Sequence, residues 1–370
     1  MKKILTSIAA LALSASVLSG CGEMTSKDNS FYCMHTLAQL VISDNFNEDK
    51  GEKFGRLSEE VENKLFAIEN SISSSVANSC ISKFNSAEAG ATVEIDETAY
   101  EVLTLAKKVY NLTEGYYNPA VYYNVSAYGF KSESYTIPPQ EEIDKYNSVA
   151  EHFGELELEH KNNSYYAVKP AATFELNGEV HSMKIDLGGI GKGYATDIVN
   201  ALIDEYGFKN GSFSFGGSSI TCKKFKGGKY TLNLNNPRAV IGSYASVEVQ
   251  DTNLSTSGDY QQYFEEDGVR YCHVFDPTTG KPVQTGIMSA TVIGGSAAEG
   301  DALTTALMAM GKDKAVEFIN KNLSNFKVVF TLEEDGCFGV ITNIPDELKN
   351  LNEYFKILNT VSDGKIILGE

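Results

Sequence analysis

The chain of 370 residues contains no tryptophan, only 8 prolines and 5 histidines. Its cysteines lie at 21, 33, 80, 222, 272 and 337, and no two share a metal-binding spacing, so a zinc site has no support. With Cys21 set aside for the reason given below, five remain, which cannot all pair within one chain. Buried free thiols are the expectation. Basic residues are also short, 31 against 49 acidic ones, for a net charge of −18. Such a surface disfavours nucleic acid and anionic lipid, and any phosphate site must be built locally. After the first twenty residues no run is apolar enough to cross a membrane. There is no tandem repeat and no low-complexity tract.

The N-terminus carries the one long apolar run. Lys2 and Lys3 precede an Ala- and Ser-diluted stretch over 4–17, which reads as a signal peptide. It ends in Leu18-Ser19-Gly20-Cys21, which resembles a bacterial lipobox, so cleavage before Cys21 and lipidation of its thiol are expected. Several acyl chains would hold the protein firmly. Residues 21–30 are polar without apolar period and read as a flexible tether. The chain is therefore expected to be exported and lipid-anchored on the extracytoplasmic face of a bacterial membrane, touching the bilayer through the lipid alone.

Beyond the tether, 31–43 reads as one strand. Leu57, Val61, Leu65 and Ile68 recur at helical spacing over 57–73. Asp96 caps a second helix whose Tyr100, Leu103, Ala106, Val109 and Tyr110 share a face. Ile137-Pro138-Pro139 is a loop before a further helix. From about residue 156 the chain turns β-rich. Strands are expected near 165–168, 173–176, 212–215, 230–234, 246–249, 272–275 and 289–293, with a hairpin turn at Gly227-Gly228. Helices at 192–206 and 301–310 interrupt them. The order indicates an α+β unit, not a doubly wound parallel sheet.

Three blocks carry chemistry. Asp186-Leu187-Gly188-Gly189-Ile190-Gly191-Lys192-Gly193 runs from a short strand into four glycines within six positions and then a helix. Glycines let backbone N–H groups approach phosphate oxygens, the helix start favours negative charge, and Lys192 adds a point charge. The spacing matches neither the dinucleotide fingerprint nor the P-loop. In the second block, Asp301 and Thr305 stand one helical turn apart, a hard-oxygen pair that suits Mg²⁺ better than zinc. In the third, Ser257-Gly258-Asp259-Tyr260 leads to His273-Val274-Phe275-Asp276-Pro277-Thr278-Thr279-Gly280, turn chemistry that presents His273 near a strand end.

Together these blocks resemble the ApbE family of FAD:protein FMN transferases, with its D-L-G-G-I-A-K-G-Y-A-x-D, S-G-D-Y-x-x-Y-F, H-I-I-D-P-x-T-G and A-D-A-x-x-T-A-L patterns. Met34-His35-Thr36 resembles the family's M-G-T, Asn78-Ser79-Cys80 opens a stretch like D-S-E-x-S-R-x-N, and Glu114-Gly115-Tyr116-Tyr117-Asn118-Pro119 resembles G-G-x-F-D-P. The resemblance implies a transferase domain over 31–360, a single unit of two intimately packed α+β lobes with FAD between them. It implies that Asp301 and Thr305 bind Mg²⁺ with a backbone carbonyl of Gly189 or Gly191. Lys192 and the glycines, Gly188 and Gly189 among them, would hold the pyrophosphate, and Asp186 a nearby polar group of FAD. Met34, Tyr116, Tyr117 and Asn118 would line the flavin-nucleotide pocket. His273 would be the base that activates the acceptor hydroxyl, with Lys192 neutralising developing charge. The implied reaction moves FMN from FAD to a Ser or Thr hydroxyl of exported electron-transfer proteins and releases AMP. The alternatives are an FAD pyrophosphatase and a flavin-binding lipoprotein without turnover. Gly191 stands where the family has Ala, His35 where it has Gly, and Asn118 and Cys80 where it has acids. These last three differences bear on FAD affinity and on the balance between transfer and hydrolysis.

Overall fold

The computed structural model describes residues 24–223, 228–239, 241–334 and 337–369. The signal peptide, Cys21 and Gly227 lie outside them. Nine strands form the main sheet: β1 (Thr25–Cys33), β2 (Thr36–Asp44), β3 (Gly211–Phe215), β4 (Ser219–Cys222), β5 (Thr252–Gly258), β6 (Ile287–Ile293), β7 (Lys327–Glu334), β8 (Cys337–Thr342) and β9 (Phe355–Ile357). Each pairs with its successor in the chain, antiparallel throughout except for the parallel β8–β9 contact. Chain order and spatial order therefore coincide, and the helices enter as insertions between neighbouring strands.

The helices are α1 (Glu48–Ile72), α2 (Cys80–Ser86), α3 (Glu97–Leu112), α4 (Tyr122–Ala127), α5 (Gln140–Ala150), α6 (Gly188–Glu205), α7 (Ala297–Met310) and α8 (Lys312–Asn322). Asp96 caps α3 as expected, its carboxylate accepting from Ala99 N at 2.8 Å. Helices α6 and α7 pack against each other over one face of the sheet, α6 on β3 and β4, α7 on β5 and β6. One continuous buried cluster runs from Leu40 and Leu57 through Val102 and Leu103 to Ile190, Leu303 and Phe330, so the N-terminal and C-terminal halves share a core. On the other face Ile220, Leu254, Ile293 and Val340 meet Leu232, Leu234 and Val247 of a smaller sheet. The result is the mixed α+β architecture expected from the order of elements.

Four local expectations are corrected. The stretch 31–43 is not one strand but the end of β1, a turn and most of β2, because Met34 and His35 take left-handed backbone angles, φ +47° and +57°. The segment expected as a flexible tether forms strand from Thr25 onward, with Thr25 opposite Asp44 and Ser30 opposite Gln39. It shows no alternation because both faces of this edge strand are exposed over Thr25–Ser30. Residues 183–187, expected to lead in as a short strand, have no regular structure and lie outside any ladder. Their backbone bonds go to Asn85 Oδ1 (from Ile185 N, 2.8 Å) and to the Pro119 carbonyl (from Asp186 N, 2.8 Å). Finally, 272–275 is split, with Val269–Cys272 ending one hairpin and Phe275–Asp276 opening another. His273 sits between the two.

Candidate active site

The glycine run is not a loop. Gly188, Gly189, Gly191 and Gly193 form the first turns of α6, and one of them has a reason that packing makes plain. A Cβ at Gly193 would lie 2.3 Å from the Ala297 carbonyl oxygen, so only glycine permits the close crossing of α6 and α7. The crossing is fastened by Asp197, which accepts from Ala297 N at 2.7 Å and Ala298 N at 2.9 Å, the free N–H groups at the start of α7. Lys192 reaches back along its own helix to the Gly188 carbonyl at 3.1 Å, which holds its ammonium at the N-terminal end of α6.

The crossing places Asp301 against the α6 backbone. Its side chain is buried, 3% exposed, and Oδ2 accepts from Gly193 N at 3.1 Å. Burial raises its pKa, opposed by the charge of Lys192 and the Gly193 N–H. Among the described residues no lysine or arginine pairs with it directly. A buried carboxyl with this little compensation fits a cation. Thr305 Oγ1 lies one turn on, 3.5 Å from Ser257 Oγ and 3.5 Å from the Cβ position of Gly189. Among the described residues no group of three or more His, Cys, Asp and Glu side chains comes together. A metal here would rest on one carboxylate, hydroxyls and backbone carbonyls, an oxygen set that fits Mg²⁺.

His273 completes this side of the site. Its backbone N–H and its Nδ1 both face the Gln262 carbonyl, at 3.0 Å and 3.3 Å. A carbonyl only accepts, so Nδ1 carries the hydrogen and Nε2 keeps its lone pair. Burial, then the neighbouring Lys192 charge, pushes the His273 pKa down to about 4, with the Gln262 bond opposing. The ring is thus a neutral base at ordinary pH.

Asp186 closes the other side. Its Oδ1 accepts from Gly188 N at 2.8 Å, and its Oδ2 accepts from Ser74 Oγ at 2.6 Å and from Lys131 Nζ. Burial alone would raise this carboxyl, but Lys131, Ser74 and the Gly188 N–H hold it below the usual range. Tyr117 stands next to it, 2% exposed, with its ring 3.4 Å from the Gly189 Cβ position.

The site residues read from the sequence therefore fall into two groups. Asp186, Gly188, Gly189, Lys192, His273, Asp301, Thr305 and Tyr117 converge around the start of α6. Gly191 also lies there, its Cβ position pointing at Ile72 Cδ1. Asn118 does not offer its amide to a pocket. It is buried, its Nδ2 donates to the Ala150 carbonyl and its Oδ1 accepts from Ala120 N, both at 2.9 Å. Tyr116 lies at the rim with its hydroxyl paired to Lys314. Met34 sits in the β1–β2 turn, its N–H donating to Glu69 at 3.1 Å. Cys80 Sγ accepts from Asp96 N at 3.3 Å and lines a separate polar cleft. The five described cysteines are all free. Ser74, Lys131 and Gln262 were not found from the sequence. Ser74 lies in a run of serines, Lys131 in a surface turn, and Gln262 acts only through its carbonyl, so none carried a signal.

Residues 34–330 match the ApbE family. The FAD:protein FMN transferase of Escherichia coli (strain K12) is 27% identical over 276 residues, 73% of this chain and 75% of that protein. The one from Haemophilus influenzae is 27% identical over 365 residues, 95% of this chain and 99% of its own. Among solved structures, the flavin transferase ApbE from Vibrio cholerae superposes with a TM-score of 0.71 at 25% identity, covering 86% of this chain and 97% of that one. The ApbE protein of Thermotoga maritima gives 0.70 at 26%, covering 83% and 94%. With the match running from the β1–β2 turn into β7, across the α6–α7 crossing and His273, the chain belongs to the ApbE family.

Proposed function

We propose that this chain transfers FMN from FAD to a Ser or Thr hydroxyl of exported electron-transfer proteins, with release of AMP. It would do so with Mg²⁺ and from the extracytoplasmic face of a bacterial membrane, held by a lipid on Cys21. The observation that carries the reading is the convergence of a neutral His273, with Nε2 free, on Lys192 and the buried Asp301 at the start of α6. The activity is that named for the E. coli and H. influenzae relatives.

The residues divide the work. His273 Nε2 takes the proton of the incoming hydroxyl, whose oxygen forms a new bond to the phosphorus on the FMN side. The bond between that phosphorus and the bridging oxygen breaks, and the bridging oxygen leaves on AMP. Lys192, held at the N-terminal end of α6, and the positive end of that helix stabilise the negative charge that gathers on the phosphate oxygens. Bound Mg²⁺ would supply Lewis-acid neutralisation of the pyrophosphate. Asp301, Thr305 and a carbonyl of Gly189 or Gly191 are the groups that would hold it.

Mass spectrometry tests the reading. The mature protein is incubated with FAD, Mg²⁺ and an acceptor domain bearing a reactive threonine. An acceptor heavier by one FMN, together with AMP, is expected. FMN and AMP without a modified acceptor would turn the assignment to a pyrophosphatase. Intact FAD would leave a flavin-binding lipoprotein.

A further inference from the structure

Tyr117 holds an unused donor at the centre of the site. Its side chain is 2% exposed, and its hydroxyl is buried without a hydrogen-bond partner among the described residues. A buried hydroxyl left unpaired is destabilising and is rarely retained without a partner. The backbone that carries the ring is fixed. Its backbone N–H is held by Thr113 Oγ1 at 3.1 Å, and Thr113 is itself fully buried and bonded to the Val109 carbonyl at 2.7 Å. One ring edge packs on Gly189, beside Thr305 Oγ1. The hydroxyl also lies within electrostatic reach of Asp301 and Asp186, and burial followed by those two carboxylates keeps it protonated, a donor at any physiological pH.

We propose that the Tyr117 hydroxyl is a positioning donor for the ligand, giving its hydrogen to an oxygen that arrives with the Mg²⁺–pyrophosphate group between Asp301 and the start of α6. This rests on the phosphate-site reading above and deepens it. The hydroxyl is buried, beside Gly189 and within electrostatic reach of both carboxylates, where the ligand group would settle. The partner is a non-bridging phosphate oxygen, an anionic acceptor to which a hydroxyl donates strongly.

The test is Tyr117→Phe in the full-length protein, a change that keeps the ring and its packing. Thermal melting is followed in EDTA, with Mg²⁺ alone, and with Mg²⁺ plus FAD, and FAD affinity is measured by quenching of flavin fluorescence. The variant is expected to melt at or above the parent temperature in EDTA, because an orphan hydroxyl has been removed. Its ligand-induced rise should shrink, with FAD binding weakened by about tenfold to a hundredfold. The rise with Mg²⁺ alone should match the parent's and the rise with FAD present should shrink; a loss confined to Mg²⁺ alone would overturn the assignment to phosphate. A lower melting temperature in EDTA with unchanged FAD affinity would overturn the proposal, since the hydroxyl would then be bonded within the protein. Unchanged melting and unchanged affinity would overturn it equally. These readouts do not involve FMN transfer, so a parent protein that binds FAD without transferring FMN would refute the activity and leave the Tyr117 result standing.

Discussion

The imidazole of His273 is pinned by the carbonyl of Gln262, 3.3 Å from Nδ1 and 3.0 Å from the residue's own backbone nitrogen. One acceptor thus sets both the tautomer and the ring's position, and Nε2 is left as the basic atom. Because the folded pKa is pushed down to about 4, protonation of this base begins only as pH falls well below the usual histidine range. The acid limb of kcat/KM, which reports the free enzyme, is therefore expected nearer pH 4 than 6.5. The same depression has a stability consequence. An unfolded histidine takes up its proton first, so this contribution is intact above about 6.5 and is lost as pH falls toward 4. An acid limb centred at 6.5 would mean that the ring is not neutral by burial. Replacing His273 with Gln should cost about a hundredfold to ten-thousandfold in transfer.

In the proposed mechanism, metal dependence turns on Asp301. Asp301→Asn keeps a polar group against Gly193 N, 3.1 Å from the present Oδ2, while removing the charge. Mg²⁺-dependent turnover of FAD is expected to vanish, whether the acceptor is a hydroxyl or water. Calorimetric titration should show Mg²⁺ affinity falling at least tenfold. Full activity in the variant would remove Asp301 from the metal site.

How much of this was legible in the sequence varies with the physical origin of each feature. The α3 cap and the α6 and α7 helices were readable because a side chain or a local glycine density announces them. The β1–β2 turn was not, because His35 occupies a left-handed position where glycine would have signalled a turn. The start of β1 was hidden for the opposite reason: an edge strand exposed on both faces has no apolar alternation to read. In the site, Asp301, Thr305 and His273 carried little signal singly and gained their roles, with Lys192, from the family resemblance of the three blocks together. Lys131 could not be found this way, since its meaning comes from Asp186, brought to it from 55 positions along the chain. Asn118, placed in the pocket wall by the family resemblance, spends its amide on tying two backbone segments together, which no sequence pattern shows.

The Lys131–Asp186 pair yields a prediction about charge. A carboxylate beside the proposed phosphate site at the start of α6 would repel pyrophosphate unless it is neutralised, and Lys131 with Ser74 does this on Oδ2. Lys131→Met should raise KM for FAD by about tenfold with a smaller change in kcat, and the penalty should shrink as salt is added. Adding Asp186→Asn should recover part of the loss, because the unpaired charge is gone. An unchanged KM in the single variant would show that Lys131 is a surface pair of little consequence.

Two glycines of the same helix should respond in opposite ways to alanine. At Gly193 the new Cβ would meet backbone, the Ala297 carbonyl oxygen at 2.3 Å, and neither helix can yield without pulling Asp301 from Gly193 N. Gly193→Ala is expected to destabilise the fold by about 3 kcal/mol and to weaken Mg²⁺ binding with it. At Gly191 the Cβ would meet only Ile72 Cδ1, at 2.8 Å, the far end of a side chain that can change rotamer. The gain in helix propensity, about 1 kcal/mol, offsets that adjustment, so Gly191→Ala should leave stability within about 1 kcal/mol of the parent. It should also keep the metal, since only the carbonyl at 191 is a ligand candidate. Denaturant melts of the two variants separate these outcomes, and a Gly191→Ala protein as damaged as Gly193→Ala would mean that Ile72 is locked in place.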